Sequence, residues 1–150
     1  MIRKAFIMGM IIAGSGVGGC TILRPTMSYV EPLTEPEAIV LANDISEHLI
    51  TPLPRAQTTI VLDAPADTSK DLLTPVLAAK LRENGYGVVE ADPKKGPDPN
   101  DGTPIRYLVT PLESGIVLRL QYPGAEASRF YPRGSDGNLM TSQPFTVREG

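Results

Sequence analysis

Apolar residues recur at three- and four-residue steps in two stretches of this chain, and alternate or cluster in several shorter ones. The first stretch puts Ala38, Leu41, Ala42, Ile45 and Leu49 on one stripe, with Asn43, Asp44, Glu47 and His48 on or beside the wet face. That spacing predicts a helix from about 35 to 49. Thr34 with Glu37 three residues on is a capping-box pattern, and Pro36 falls in the first turn, where a missing N–H costs nothing. Pro52 and Pro54 end the run. A second stretch, Leu73, Val76, Leu77 and Leu81, predicts a helix over roughly 69–84. Pro75 falls inside it, so either the helix kinks there or Thr74 caps a shorter helix beginning at Pro75. Gly85 follows at the position that favours a left-handed cap.

Strands are predicted between and after these helices. Residues 58–62 and 86–90 are rich in β-branched and apolar side chains, and 105–112 and 116–122 alternate. Glu113-Ser114-Gly115 joins the last two as a hairpin. Residues 127–131 and 145–148 read as two further short strands separated by a Gly-rich connection. The stretch 92–104, with its prolines, glycines and charges, reads as an exposed loop. The order α-β-α-β-β-β-β-β predicts one α+β domain over 35–150, its two helices on one face of a mixed or antiparallel sheet of about five to six strands.

The start of the chain reads as an address. Arg3 and Lys4 precede the short apolar run Ala5–Ala13, well below the roughly 20 residues of a membrane-spanning helix. Val17-Gly18-Gly19-Cys20 follows and resembles a bacterial lipobox, with Gly18 where Ala or Ser is usual. The expectation is a signal peptide over 1–19, cleaved before a lipidated Cys20, and acyl chains beyond the two-signal threshold for stable anchoring. Residue 21 is Thr rather than the Asp that commonly retains such proteins at the inner membrane, which favours the outer membrane. Residues 20–34 are read as a lipidated tether, although Met27, Tyr29, Val30 and Leu33 are apolar enough for part of it to dock on the domain or on a partner.

Composition narrows the chemistry. A chain of 150 residues with 14 Lys+Arg against 17 Asp+Glu carries a net charge of -3, which gives no basic face for nucleic acid. One Cys and one His exclude an internal disulfide, a Cys-based zinc cluster and a His pair. His48 with Asp44 four residues before it has the spacing of half a catalytic arrangement, but a solvated surface pair is the expected reading. No catalytic residue, metal, cofactor or small-molecule substrate is expected. Arg106, Arg119, Arg129, Arg133 and Arg148 concentrate in the C-terminal strands among Tyr107, Tyr122, Phe130 and Tyr131. Arg and Tyr dominate interface hot spots, so Arg119, Arg129 and Tyr131 are the expected partner-binding residues. The plainer alternative is the wet side of a half-exposed sheet.

Four segments carry a family resemblance: Leu53-Pro54-Arg55-Ala56-Gln57-Thr58-Thr59-Ile60, Leu81-Arg82-Glu83-Asn84-Gly85-Tyr86-Gly87-Val88, Ser128-Arg129-Phe130-Tyr131 and Pro144-Phe145-Thr146-Val147-Arg148-Glu149. With the lipobox they resemble TrbH, a lipoprotein family of conjugative mating-pair formation. The resemblance implies a structural or assembly component of a type IV secretion apparatus, at the outer membrane with other channel subunits. It supplies no catalytic residues and carries over one position, the lipid-bearing Cys20. The rival expectation is an envelope lipoprotein, unrelated to conjugation, that binds a small ligand or cargo between helices and sheet.

Overall fold

In the computed structural model, residues 27–150 are described. The sheet is organised around β4 (Thr103–Leu112). Along one edge β4 pairs antiparallel with β5 (Gly115–Tyr122), from Arg106 opposite Gln121 to Leu112 opposite Gly115. Its other edge is shared: β2 (Thr59–Leu62) runs parallel to Thr103–Ile105, and β1 (Tyr29–Val30) runs parallel to Leu108 and Val109. Beyond β2 lies β3 (Gly87–Glu90), also parallel, and beyond β5 lie β6 (Ala125–Pro132) and β7 (Thr146–Glu149), both antiparallel. The path is β3-β2-β4-β5-β6-β7 with β1 beside β4, a seven-stranded mixed sheet. Parallel neighbours need a crossover, and α2 (Leu73–Glu83) supplies it between β2 and β3. Among the described residues the fold is α+β, with two α-helices and a mixed sheet, as the patterning predicts.

Alternation decides which side the helices take. Ile105, Tyr107 and Val109 of β4 and Ile116, Leu118 and Leu120 of β5 are fully buried. They meet Leu41, Ile45 and Leu49 of α1 (Glu35–Leu49) and Leu73, Leu77 and Leu81 of α2 in one core. Burying each such side chain stabilises by about 1.5–3 kcal/mol, which holds both helices on this face. Arg106, Leu108, Val117, Arg119 and Gln121 fall on the other, helix-free face.

Helix ends follow local chemistry. The Glu37 carboxylate accepts from the backbone N–H and the hydroxyl of Thr34, both at 2.8 Å, so the expected box starts α1. At α2 neither expected alternative holds. Asp71 Oδ1 accepts the N–H groups of Leu73 and Thr74, each at 3.0 Å, so Asp71 caps the helix and Pro75 falls in the first turn without a kink. The Thr74 hydroxyl instead meets the Tyr107 hydroxyl in the core at 2.5 Å. Tyr107→Phe leaves Thr74 without that partner and is expected to lower stability by about 1–2 kcal/mol in urea unfolding. At the far end Gly85 adopts φ 93. Its N–H bonds Arg82 C=O at 3.0 Å and that of Tyr86 bonds Leu81 C=O at 3.1 Å, the pairing that closes a helix through a left-handed residue.

The segment read as tether joins the domain from Ser28 onward. Ser28 is buried and its Oγ accepts the Tyr107 N–H at 3.0 Å, Glu31 N–H bonds Val109 C=O at 3.3 Å, and Leu33 enters the core. An open β4 edge and a free core site outweigh the absence of any strand periodicity in this stretch.

Candidate interaction surface

The three expected contact residues separate in the fold. On β6 the pleat puts Ala127, Arg129 and Tyr131 on the helix side, with Glu126, Ser128 and Phe130 facing away. Tyr131 is fully buried and Arg129 is 11% exposed. Both address Asp44 of α1: Arg129 Nη1 donates to Oδ1 at 2.8 Å and the Tyr131 hydroxyl donates to Oδ2. The other Arg129 nitrogen, Nη2, donates to the Thr141 carbonyl, and its guanidinium lies 5.1 Å from the Phe145 ring centre and 5.2 Å from that of Tyr131. Tyr131 is thus buried where an exposed contact residue is expected, and Arg129, although it borders a surface cleft, spends its guanidinium inside the domain on Asp44 and Thr141. They tie the C-terminal segment to α1. Burial, reinforced by the Asp44 carboxylate, pushes the Tyr131 phenol up.

The same cluster takes His48 and Asp44 off the wet face. The His48 ring packs 4.2 Å from that of Phe145, and its Nε2 lies 3.2 Å from the Tyr122 hydroxyl. Asp44 is engaged by Arg129 and Tyr131, so the side-chain partner of the imidazole is Tyr122 and no Asp–His relay is assembled. Burial lowers the His48 pKa, Asp44 opposes this and Arg129 adds to it. The folded state thus binds this proton less readily than the unfolded chain. Stability should be fully present above about pH 6.5 and fall as acidification passes the depressed folded value. His48→Gln should flatten the unfolding midpoint between pH 7 and 5, and an unchanged slope would exclude His48 as its source.

Glu37 makes the second tie from α1, 2.6 Å from Nη2 of Arg133, the residue after β6. Burial pushes this carboxyl up, but bonds from Thr34 and Arg133 outweigh it and the net direction is down. Among the described residues no group of three or more His, Cys, Asp or Glu is placed to hold a metal ion.

Arg119 lies where the sequence puts it, on the helix-free face with its side chain 49% exposed. Its Nη2 donates to Glu126 Oε1 at 3.0 Å, Gln121 donates to the same carboxylate at 2.8 Å, and Arg148 approaches it to 3.7 Å. The Gln121 bond leads the influences that hold the Glu126 carboxyl below its usual range. Arg106 pairs with Asp63 at 2.6 Å on this side. A shallow cleft of about 570 Å³ lies at this end, bounded by Arg106, Gln121, Glu126 and Arg148. A smaller one of about 390 Å³ is lined by Val117, Phe130, Gln143 and Pro144. Both open on the bare side of the sheet, whereas the layer between helices and sheet is filled by buried side chains. Cys20, the lipobox and the signal peptide lie outside the described residues.

The fold and surface define a small α+β domain with one sheet face covered by helices and the other, arginine-bearing face open. The chain belongs to the TrbH family: the family model described as conjugal transfer protein TrbH matches residues 24–150. No curated protein and no solved structure matches the chain. The match takes in all four segments that carry the resemblance and begins beyond Cys20. Among the described residues no helix is long and apolar enough to cross a membrane.

Proposed function

We propose that this protein is an outer-membrane-anchored lipoprotein and a structural or assembly component of the mating-pair apparatus of conjugation. The family match over residues 24–150 carries the reading. The leader ending in Val17-Gly18-Gly19-Cys20 supplies the anchor, with the domain facing the periplasm. The buried Ser28 lies eight residues beyond Cys20. At about 3.3 Å per extended residue the linker reaches at most about 26 Å. The domain is therefore held close to the lipid surface, where secretion-channel subunits can meet its bare sheet face.

The anchor is tested by radiolabelled palmitate and membrane fractionation. Wild type should incorporate label and sediment with the outer membrane, and Cys20→Ser should do neither. Label retained by Cys20→Ser, or wild type in the inner membrane, would overturn the assignment. The contact surface rests on Arg119. Arg119→Ala, which removes the pair with Glu126 without adding a second carboxylate, should reduce co-purification of channel subunits at least tenfold while lowering stability by no more than about 1 kcal/mol, the usual worth of an exposed ion pair.

A further inference from the structure

We infer that the free edge of β7 is a docking site for an extended, acidic segment of another protein, which adds a strand to the sheet. This deepens the proposed function by naming the chemistry of a partner. The bond from Gly150 N–H to Gly124 C=O, at 3.0 Å, sets the phase of the antiparallel pairing between β6 and β7. Inward and outward groups alternate along such a pair. Thr146 and Arg148 therefore spend their backbone groups on β6, and Val147 and Glu149 turn theirs outward. All four residues of β7 are exposed. The opposite edge of the sheet is treated differently: Arg82 of α2 donates to the Val88 carbonyl of β3 at 3.3 Å, so a side chain already occupies part of that edge.

Charge selects the occupant. On the helix-free face Glu126 is the one carboxylate shared by the Arg119 and Arg148 guanidiniums, at 3.0 and 3.7 Å, and the Arg148 side chain is 75% exposed. One negative charge against two positive ones leaves the strand next to β7 a place for an acid, directly across from Arg148. A second copy of this chain finds no acid for Arg148: the register centred on Val147 sets Arg148 opposite Thr146. Pairing Val147 of one β7 with Glu149 of the other sets Arg148 opposite Arg148, and like charges directly opposite are destabilising. Beyond the start of β7 the cleft of about 390 Å³, where Val117, Phe130 and Pro144 meet Ser128, Arg129, Gln143 and Thr146, offers a mixed polar and apolar seat for a side chain further along the same segment. Backbone bonds supply affinity in such strand addition and the alternating side chains supply specificity.

The test places a photo-crosslinking amino acid at Val147 of the full-length protein in donor cells, with Ile39 of α1 as control, and sequences the captured peptide by mass spectrometry. An acidic extended segment of another protein, captured at 147 but not at 39, is expected. Its yield should drop at least tenfold in Arg148→Glu and in Glu149→Pro, the latter removing an outward N–H without touching the bonds to β6. Thermal midpoints are measured alongside. If Glu149→Pro shifts the midpoint, the exposed Arg148→Glu alone decides. Capture of this chain itself, capture of a segment without acids, equal capture at Ile39, no capture, or yields indifferent to Arg148→Glu would overturn the inference. Plasmid transfer by a deletion strain is scored separately. Transfer lost on deletion with no crosslink at 147 sinks only the docking site, whereas normal transfer on deletion sinks the role in conjugation.

Discussion

Asp44→Ala is expected to destabilise the domain by about 3–5 kcal/mol, the usual effect of removing one partner from a buried ion pair. The Asp44 and Arg129 side chains are 13% and 11% exposed, so solvent screens the pair little. Without the carboxylate, the Arg129 guanidinium keeps the Thr141 carbonyl and two aromatic faces but no counter-charge, and the Tyr131 hydroxyl loses its acceptor. Urea unfolding gives the size, and a double-mutant cycle gives the cause. Asp44→Ala with Arg129→Leu should recover much of the loss, because no unpaired charge then remains inside. Simple additivity of the two single changes would show that Asp44 acts through packing alone. By the same reasoning Arg129→Glu, which faces Asp44 with a second carboxylate, should unfold the domain rather than trim a contact surface.

Leu81→Ala should be nearly as damaging, at about 2–5 kcal/mol. Leu81 is fully buried in the cluster shared by both helices and the sheet, and its carbonyl accepts the Tyr86 N–H that ends α2. The backbone bond survives the substitution, so the loss is that of transfer and cavity. A domain of this size has about 5–15 kcal/mol to lose. The variant should therefore unfold at a clearly lower urea concentration with an unchanged slope. A loss under about 1 kcal/mol would mean that the site collapses around the smaller side chain.

Much of the fold is legible in the sequence because local rules and burial agree. The three- and four-residue steps of α1, its Thr34–Glu37 start and Gly85 at the end of α2 each satisfy a backbone need on the spot. Misreadings arise where a distant partner decides. Thr74 looks like a cap, but its hydroxyl is taken by Tyr107 from β4, and Asp71, three residues earlier, caps in its place. Residues 28–34 show no strand alternation, yet β1 pairs with the open part of the β4 edge and Leu33 enters the core, the docking that the apolar side chains of this stretch allow. Arg129 and Tyr131 share the parity of Ala127 in a strand, so period two already places them on the buried side. Residue type alone suggested an interface instead. What sequence could not show is that Asp44 lies across from them, 85 positions away along the chain from Arg129. Arg119, between Leu118 and Leu120, follows the alternation and is exposed as expected.

The most direct test of the central claim is plasmid transfer frequency from a donor lacking this gene, complemented by wild type or by Cys20→Ser. The account predicts that transfer collapses without the gene, returns with wild type, and stays low with Cys20→Ser although the protein is present. Normal transfer from the deletion strain would contradict the role in conjugation, and full rescue by Cys20→Ser would contradict the requirement for the anchor.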